Sequence, residues 1–236
     1  MNVIKEQIKN APVYIVYKEL EEAKKNGCIF FYHGLTSCKD DNIKEYFELA
    51  RDGFLVVGVD NVYHGERKHP EFETLFDDNN PMRRQHMLDA VVATATEISE
   101  LIDELTLRGW IVDGKIGVMG ISMGAHITYT AITKEPRIKV ATPIVGSPKY
   151  IFERPESPHL HLDKFDKIYL LSQTGGIDEV VPPDNAREFH QRLADEYGDA
   201  SRRFRYIEYS KSGHGLLEED WKMCMTNLKE WFHKYL

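Results

Sequence analysis

Two hydrophobic rhythms alternate along the chain. Short, almost wholly apolar runs recur: GCIFFYHG (27–34), FLVVGVD (54–60), KIGVMGI (115–121), KVATPIVG (139–146) and KIYLLSQTG (167–175). Each is short and ends on a glycine, an aspartate or a helix start, which predicts strands covered on both faces. Between them apolar residues return every third or fourth position. NIKEYFELARDG (42–53) predicts a helix closed at Gly53, and residues 82–109 predict a long one on Met87, Val91, Ile98, Leu101, Ile102 and Leu105. Further helices are predicted after Gly124, over PDNAREFHQRLADEYG (183–198) and over residues 217–236. PVYIVYKEL (12–20) reads as a strand paired in a hairpin with residues 2–9, and RFRYIEYS (203–210) as a last strand. Residues 61–82 are polar, and 147–166 are irregular, with Pro148, Pro155 and Pro158. Strand and helix in regular alternation predict the α/β class, a mostly parallel central sheet with helices on both faces. A length of 236 residues is natural for a single domain, 1–236.

In such sheets ligands bind beyond the carboxyl ends of the strands. The residues there are His33-Gly34-Leu35, Asp60, Ser122, Gly146-Ser147, Gly175 to Asp178, and Gly213-His214. Composition narrows the chemistry. The net charge of -8 and the lack of a basic block speak against nucleic acid as a partner. Three cysteines without regular spacing speak against a disulfide framework. The start of the chain has no apolar secretory segment, and no apolar run approaches a membrane span, so a cytoplasmic location without a membrane partner is expected. The ten histidines show no metal-ligand spacing, and Gly120 with Gly124 is no dinucleotide fingerprint, so no metal and no cofactor are expected.

GISMG (120–124) sits where a predicted strand turns into a predicted helix. A serine there is a helix N-cap or a nucleophile thrust out on a tight turn, with the flanking glycines required because strand and helix backbones pass too close for a Cβ. A serine hydroxyl is a weak nucleophile at neutral pH and needs a base and an orienting acid. His214 follows the last strand, with a glycine on each side. His126 lies in the helix behind the serine and reads as packed there, whereas His86, His190 and His233 read as solvated. Asp178 lies just past the strand KIYLLSQTG, with Glu179 as its neighbour and rival, and Asp60 reads as a tie for the loop of His64 and Gly65.

The order Ser122, Asp178, His214 resembles that of the α/β-hydrolases. So do FFYHGLTS, DNVYHGER, IGVMGISMGA, DEVVPPDNA and SGHGL, in the right order over about residues 28–215. The nearest likeness is to small bacterial carboxylesterases of the dienelactone-hydrolase and prolyl-oligopeptidase-like branch, although dienelactone hydrolases carry cysteine where this chain has Ser122. The resemblance implies an α/β-hydrolase fold, Ser122 as nucleophile, His214 as base and then acid, and Asp178 as orienting carboxylate. It also implies an oxyanion hole from the backbone N–H groups of Leu35 and Met123. The insert at 147–166 is too short for a large helical cap, and its Tyr150 and Phe152 either line a pocket or pack down. The 61–82 loop, with Tyr63, Phe72, Phe76 and Met82, is the other candidate wall. The activity implied is hydrolysis of small, neutral or weakly charged carboxylic esters. A peptidase or acyltransferase on the same triad, or a binding module on a hydrolase fold, is the alternative.

Overall fold

Successive side chains of a strand point to opposite faces, so an apolar run without polar alternation has to be covered twice. The computed structural model, which describes residues 1–112 and 114–236 and at 199–201 the backbone alone, covers each of these runs twice. The strands are β1 (Asn2–Ile8), β2 (Ala11–Tyr17), β3 (Cys28–Tyr32), β4 (Leu55–Val59), β5 (Ile116–Ile121), β6 (Val140–Ile144), β7 (Tyr169–Gly175) and β8 (Phe204–Tyr209). The helices are α1 (Leu20–Asn26), α2 (Ile43–Arg51), α3 (Phe72–Leu75), α4 (Arg83–Leu107), α5 (Met123–Lys134), α6 (Asp184–Tyr197) and α7 (Glu218–Tyr235). In β3, Cys28, Phe30 and Tyr32 pack with residues of α1, α4, α5 and α6, while Ile29 and Phe31 pack with α2 and α7 on the other face. Phe30 and Phe31 are fully buried, each worth about 1.5–3 kcal/mol.

The eight strands form one sheet in the order β1-β2-β4-β3-β5-β6-β7-β8. From β3 to β8 all pairings among them are parallel, and the hairpin β1–β2 is added antiparallel against β4. The chain steps from β3 out to β4 and then back to β5 on the other side. The carboxyl ends of β3 and β5 therefore flank the topological switch point, where such sheets open a crevice. One ladder is interrupted. Between β6 and β7 the pairs are Val140–Tyr169, Ala141–Leu170 and Ile144–Gln173, skipping Thr142 and Pro143. Pro143 has no N–H to offer.

Two local readings need correction. The strand expected over 12–20 stops at Tyr17, and LEEAKKN forms α1, because its Glu and Lys side chains are good helix formers and Ala23 is buried under it. His190 is not solvated: it is 7% exposed, its Nε2 lies 2.7 Å from Ser172 Oγ, and burial pulls its pKa down to about 3. The segment 147–166 carries only two 3-10 turns, Pro158–Leu160 and Leu162–Phe165. It folds down onto α5, with the hydroxyls of Tyr150 and Thr130 2.5 Å apart.

A candidate active site at the strand ends

The turn from β5 into α5 explains its two glycines by space. A Cβ on Gly120 would run into the Gly124 backbone, with its Cα at 2.8 Å, and one on Gly124 would lie 2.6 Å from the Tyr32 carbonyl carbon and 2.9 Å from His33 O. Between them Ser122 takes φ 57° and ψ -113°, a conformation that costs a side-chain-bearing residue about 1–3 kcal/mol. The close packing on β3 holds that strain in place. Ser122 does not cap α5 through its side chain, so the helix N-cap reading of the hydroxyl falls.

Instead, Ser122 Oγ lies 2.8 Å from His214 Nε2, and His214 Nδ1 lies 2.8 Å from Asp178 Oδ2. Asp178 is buried, and its Oδ1 accepts the N–H groups of Val180 and Val181 at 2.9 Å each. Glu179 is exposed. The sequence suggests that Gly175 and Gly176 free the backbone to turn, but neither has a positive φ. Their reason is proximity. A Cβ on Gly175 would sit 2.5 Å from Ser212 O and one on Gly176 2.8 Å from the Ser210 Cα, so the acid loop can lie directly on the histidine loop. Gly176 N–H and Ile177 N–H bond to Tyr209 O (2.8 Å) and Ser212 O (3.0 Å) and lace the two loops together.

Leu35 and Met123 both border the same cavity, and among the described residues neither backbone N–H has an acceptor within the chain. The segment carrying Leu35 is pinned from behind. The buried His33 accepts the Asn61 N–H at Nε2 (3.0 Å), leaving Nδ1 to donate to Gly34 O (2.8 Å), and the Asn61 amide donates to His33 O (2.9 Å). Burial draws the His33 pKa down to about 4, so the ring is neutral at pH 7. Asp60 ties the neighbouring loop, as its place in the sequence suggests. It accepts the N–H of Lys39 and of Glu66 at 2.9 Å and pairs with the Lys39 ammonium at 3.1 Å. Lys39 is fully buried, and burial works against its charge. The carboxylates of Glu66, Asp60 and Asp40 outweigh that and raise its pKa.

The cavity measures about 370 Å³, at the low end for small-molecule sites. None of the aromatic candidates for its wall lines it, and Tyr150 takes the packed-down alternative. Tyr150 is buried under the cap segment, Phe152 is 42% exposed, and Tyr63 stands edge-on to His69. Phe72 and Phe76 close around His64 rather than around the cavity, because a buried imidazole needs cover. The apolar wall comes from Leu35, Met87, Leu88, Ile151 and Val181, and Val180, 67% exposed, stands at its edge. The polar part holds Arg83, Arg84 and Lys149, with no carboxylate. Arg83 is engaged by Phe76 O and Asp78, whereas Arg84 and Lys149 have no acidic partner among the described residues. The sequence offered one signal for Arg83 and Arg84: they start a helix that the topology aims at the crevice. Among the described residues, no group of three or more His, Cys, Asp or Glu is arranged to hold a metal ion, and no helix is long and apolar enough to cross a membrane.

The model of the dienelactone hydrolase family matches residues 13–229. The Bacillus subtilis protein YitV, whose name proposes an esterase, is 26% identical, with 97% of both chains covered. Esterase YjfP of Escherichia coli is 23% identical over 80% of this chain and 83% of its own. Among solved structures, TT1662 from Thermus thermophilus superposes with a TM-score of 0.79 at 18% identity, covering 98% of this chain and 99% of its own. Thermogutta terrifontis esterase 2, phosphoramylated by tabun, superposes with a TM-score of 0.70 at 13% identity, covering 99% and 94%. The fold is that of the α/β-hydrolases.

Proposed function

The chain belongs to the dienelactone hydrolase family, and from that footing we propose that it is a serine carboxylesterase whose nucleophile is Ser122. The observation that carries this reading is the continuous hydrogen-bonded path Ser122–His214–Asp178, with its serine end on the cavity. His214 Nε2 takes the hydroxyl proton as Oγ attacks the ester carbonyl carbon, and Asp178 holds the opposite Nδ1–H and stabilises the imidazolium that forms. The carbonyl oxygen becomes an oxyanion, for which the unengaged N–H groups of Met123 and Leu35 are the donors in reach; one such donor is worth about 3 kcal/mol in known cases. Collapse expels the alcohol, which leaves with the proton from His214, and the acyl group stays on Oγ. Water then repeats the sequence: His214 takes its proton, the hydroxyl adds to the acyl carbon, and Ser122 leaves with that proton restored. No cofactor enters these steps.

The substrate is a small ester, neutral or anionic away from the reacting carbonyl. Arg84 and Lys149 repel a cationic group, and the modest cavity favours acyl chains of about C2 to C6. Two measurements test the proposal. A fluorophosphonate probe should label wild type and leave Ser122→Ala unlabelled. In the folded mutant 4-nitrophenyl acetate turnover should fall to background. Turnover in Ser122→Ala like that of wild type removes Ser122 as nucleophile. A kcat/KM series still rising at C10 removes the short-chain reading, and cleavage of aminoacyl amides in preference to esters turns the assignment toward a peptidase.

A further inference from the structure

Two of the cavity's buried polar side chains, His126 and Ser147, have no work in the scheme above. His126 is four residues beyond Ser122, one turn into α5, and so lies on the serine's side of that helix. It borders the cavity and is 7% exposed. Its Nδ1 is sealed from solvent without a hydrogen-bond partner. Nε2 has no partner among the described residues either, and it is the ring nitrogen that keeps access to the cavity. The Ser147 backbone lies close enough to the ring to favour its protonated form, although no hydrogen bond of good geometry joins them. The Ser147 hydroxyl, also on the cavity, is already engaged: it donates to Lys149 O (2.8 Å) and accepts Lys149 N–H (3.1 Å). The other buried histidines each have at least one partner: His33 has Asn61 and Gly34, His190 has Ser172, and His64 has Val62 O at Nδ1, although its Nε2 has none. Burial, aided by repulsion from His214, draws the His126 pKa down to about 4. At pH 7 the ring is therefore neutral, with one N–H to donate and one nitrogen to accept.

A buried polar group without a partner is a standing cost that a ligand can relieve. An apolar residue would fill this wall without that cost. We propose that His126 is a specificity-determining residue, whose imidazole hydrogen-bonds an oxygen on the substrate other than the ester's own. The preferred substrates are then esters bearing an ether, hydroxyl or keto oxygen a few atoms from the scissile bond. With neither nitrogen held in a well-formed hydrogen bond, the ring proton can sit on Nε2 and be donated to an acceptor-only ether oxygen. The apolar analogue gains no such bond and leaves the imidazole unpaired, a difference of about 5- to 100-fold in kcat/KM.

This rests on the esterase reading, and matched substrates keep the two separable. On the acid side, 4-nitrophenyl methoxyacetate is compared with 4-nitrophenyl butyrate; on the alcohol side, 2-methoxyethyl acetate with butyl acetate. In each pair one CH₂ is replaced by oxygen, and rates are normalised to hydroxide-catalysed hydrolysis. Wild type should prefer the oxygen-bearing member of at least one pair by about fivefold or more. His126→Phe should bring that ratio close to one, whether or not the absolute rates change. If His126→Phe does not fold, the imidazole ¹⁵N resonances of wild-type His126 are followed on adding methoxyacetate or butyrate, and only methoxyacetate should move them. Hydrolysis of all four esters with ratios near one in wild type overturns the role of His126 and leaves the esterase standing. A preference that persists in His126→Phe, or resonances moved equally by both acids, overturns it as well. No hydrolysis of any of the four defeats the esterase reading itself.

Discussion

Replacing Asp178 by asparagine changes one atom, and the structure says which way that atom must point. Asp178 Oδ1 is committed to two backbone donors, Val180 N–H and Val181 N–H, at 2.9 Å each. An asparagine at this site keeps its carbonyl oxygen there, because an amide NH₂ facing two N–H groups would forfeit both bonds. The NH₂ is then forced onto the Oδ2 position, 2.8 Å from His214 Nδ1. A donor facing Nδ1 requires that nitrogen to accept, so the ring proton moves to Nε2. But Nε2 is the atom 2.8 Å from Ser122 Oγ, and a protonated Nε2 cannot take the serine proton. The variant should be folded, correctly shaped and in the wrong tautomer. In a serine protease the corresponding change lowers kcat about 10⁴-fold, or about 5 kcal/mol of activation free energy. That order is expected here because the two N–H bonds deny the amide its other rotamer. Glu179→Gln should leave kcat within about twofold, since Glu179 is exposed. Steady-state kinetics on 4-nitrophenyl acetate, a thermal melt of each variant and the ¹⁵N shifts of His214 read all three points. An Asp178→Asn enzyme within tenfold of wild type, or a crippled Glu179→Gln, refutes the argument.

Two further outcomes follow from packing and burial. Gly124→Ala sets a Cβ against backbone atoms of Tyr32 and His33, which cannot swing aside, and should cost about 1–3 kcal/mol or more; Gly215→Ala meets nothing within 4 Å and should be nearly silent. Thermal melts should separate them by about 2–4 °C per kcal/mol, and equal melting temperatures contradict the close-approach account of the turn. His190, with a folded pKa of about 3 against about 6.5 unfolded, binds its proton only in the unfolded chain across that window. It therefore lowers stability as pH falls below about 6.5, by up to about 1.4 kcal/mol per pH unit. Urea titrations of His190→Gln between pH 7 and 4.5 should show a shallower loss than wild type, and an identical slope refutes it.

The fold was legible because its signal is repeated: five apolar runs each ended where a strand ends, and the spacing over 82–109 marked a long helix. The chain Ser122–Asp178–His214 was legible because each residue follows a strand and glycines mark the close approaches. What stayed hidden depends on tertiary partners. Nothing local distinguishes His190 from His86; only the arrival of Ser172 on β7 gives it a buried partner. Lys39 reads as a surface lysine until Asp60 and Glu66 close around it. Tyr63, Tyr150 and Phe152 are candidates for a pocket wall because they are aromatic and near the right loops, with packing down the alternative for the last two. Their orientation is set instead by neighbours distant in sequence: Thr130 for Tyr150, and for the cavity the first turns of α4. α1 was missed because seven mostly charged residues carry almost no hydrophobic period.

The skipped pairs beside Pro143 lie between the two halves of the candidate site. Ser122 stands on β5, on one side of the β6–β7 seam, while Asp178 and His214 hang from β7 and β8 on the other, stitched to each other by the bonds from Gly176 and Ile177. Val145 N–H still bonds to Gln173 O at 2.8 Å across that junction. The loops of Asp178 and His214 are tied directly to each other, so carboxylate and imidazole share one support, while Ser122 is placed against them through β6.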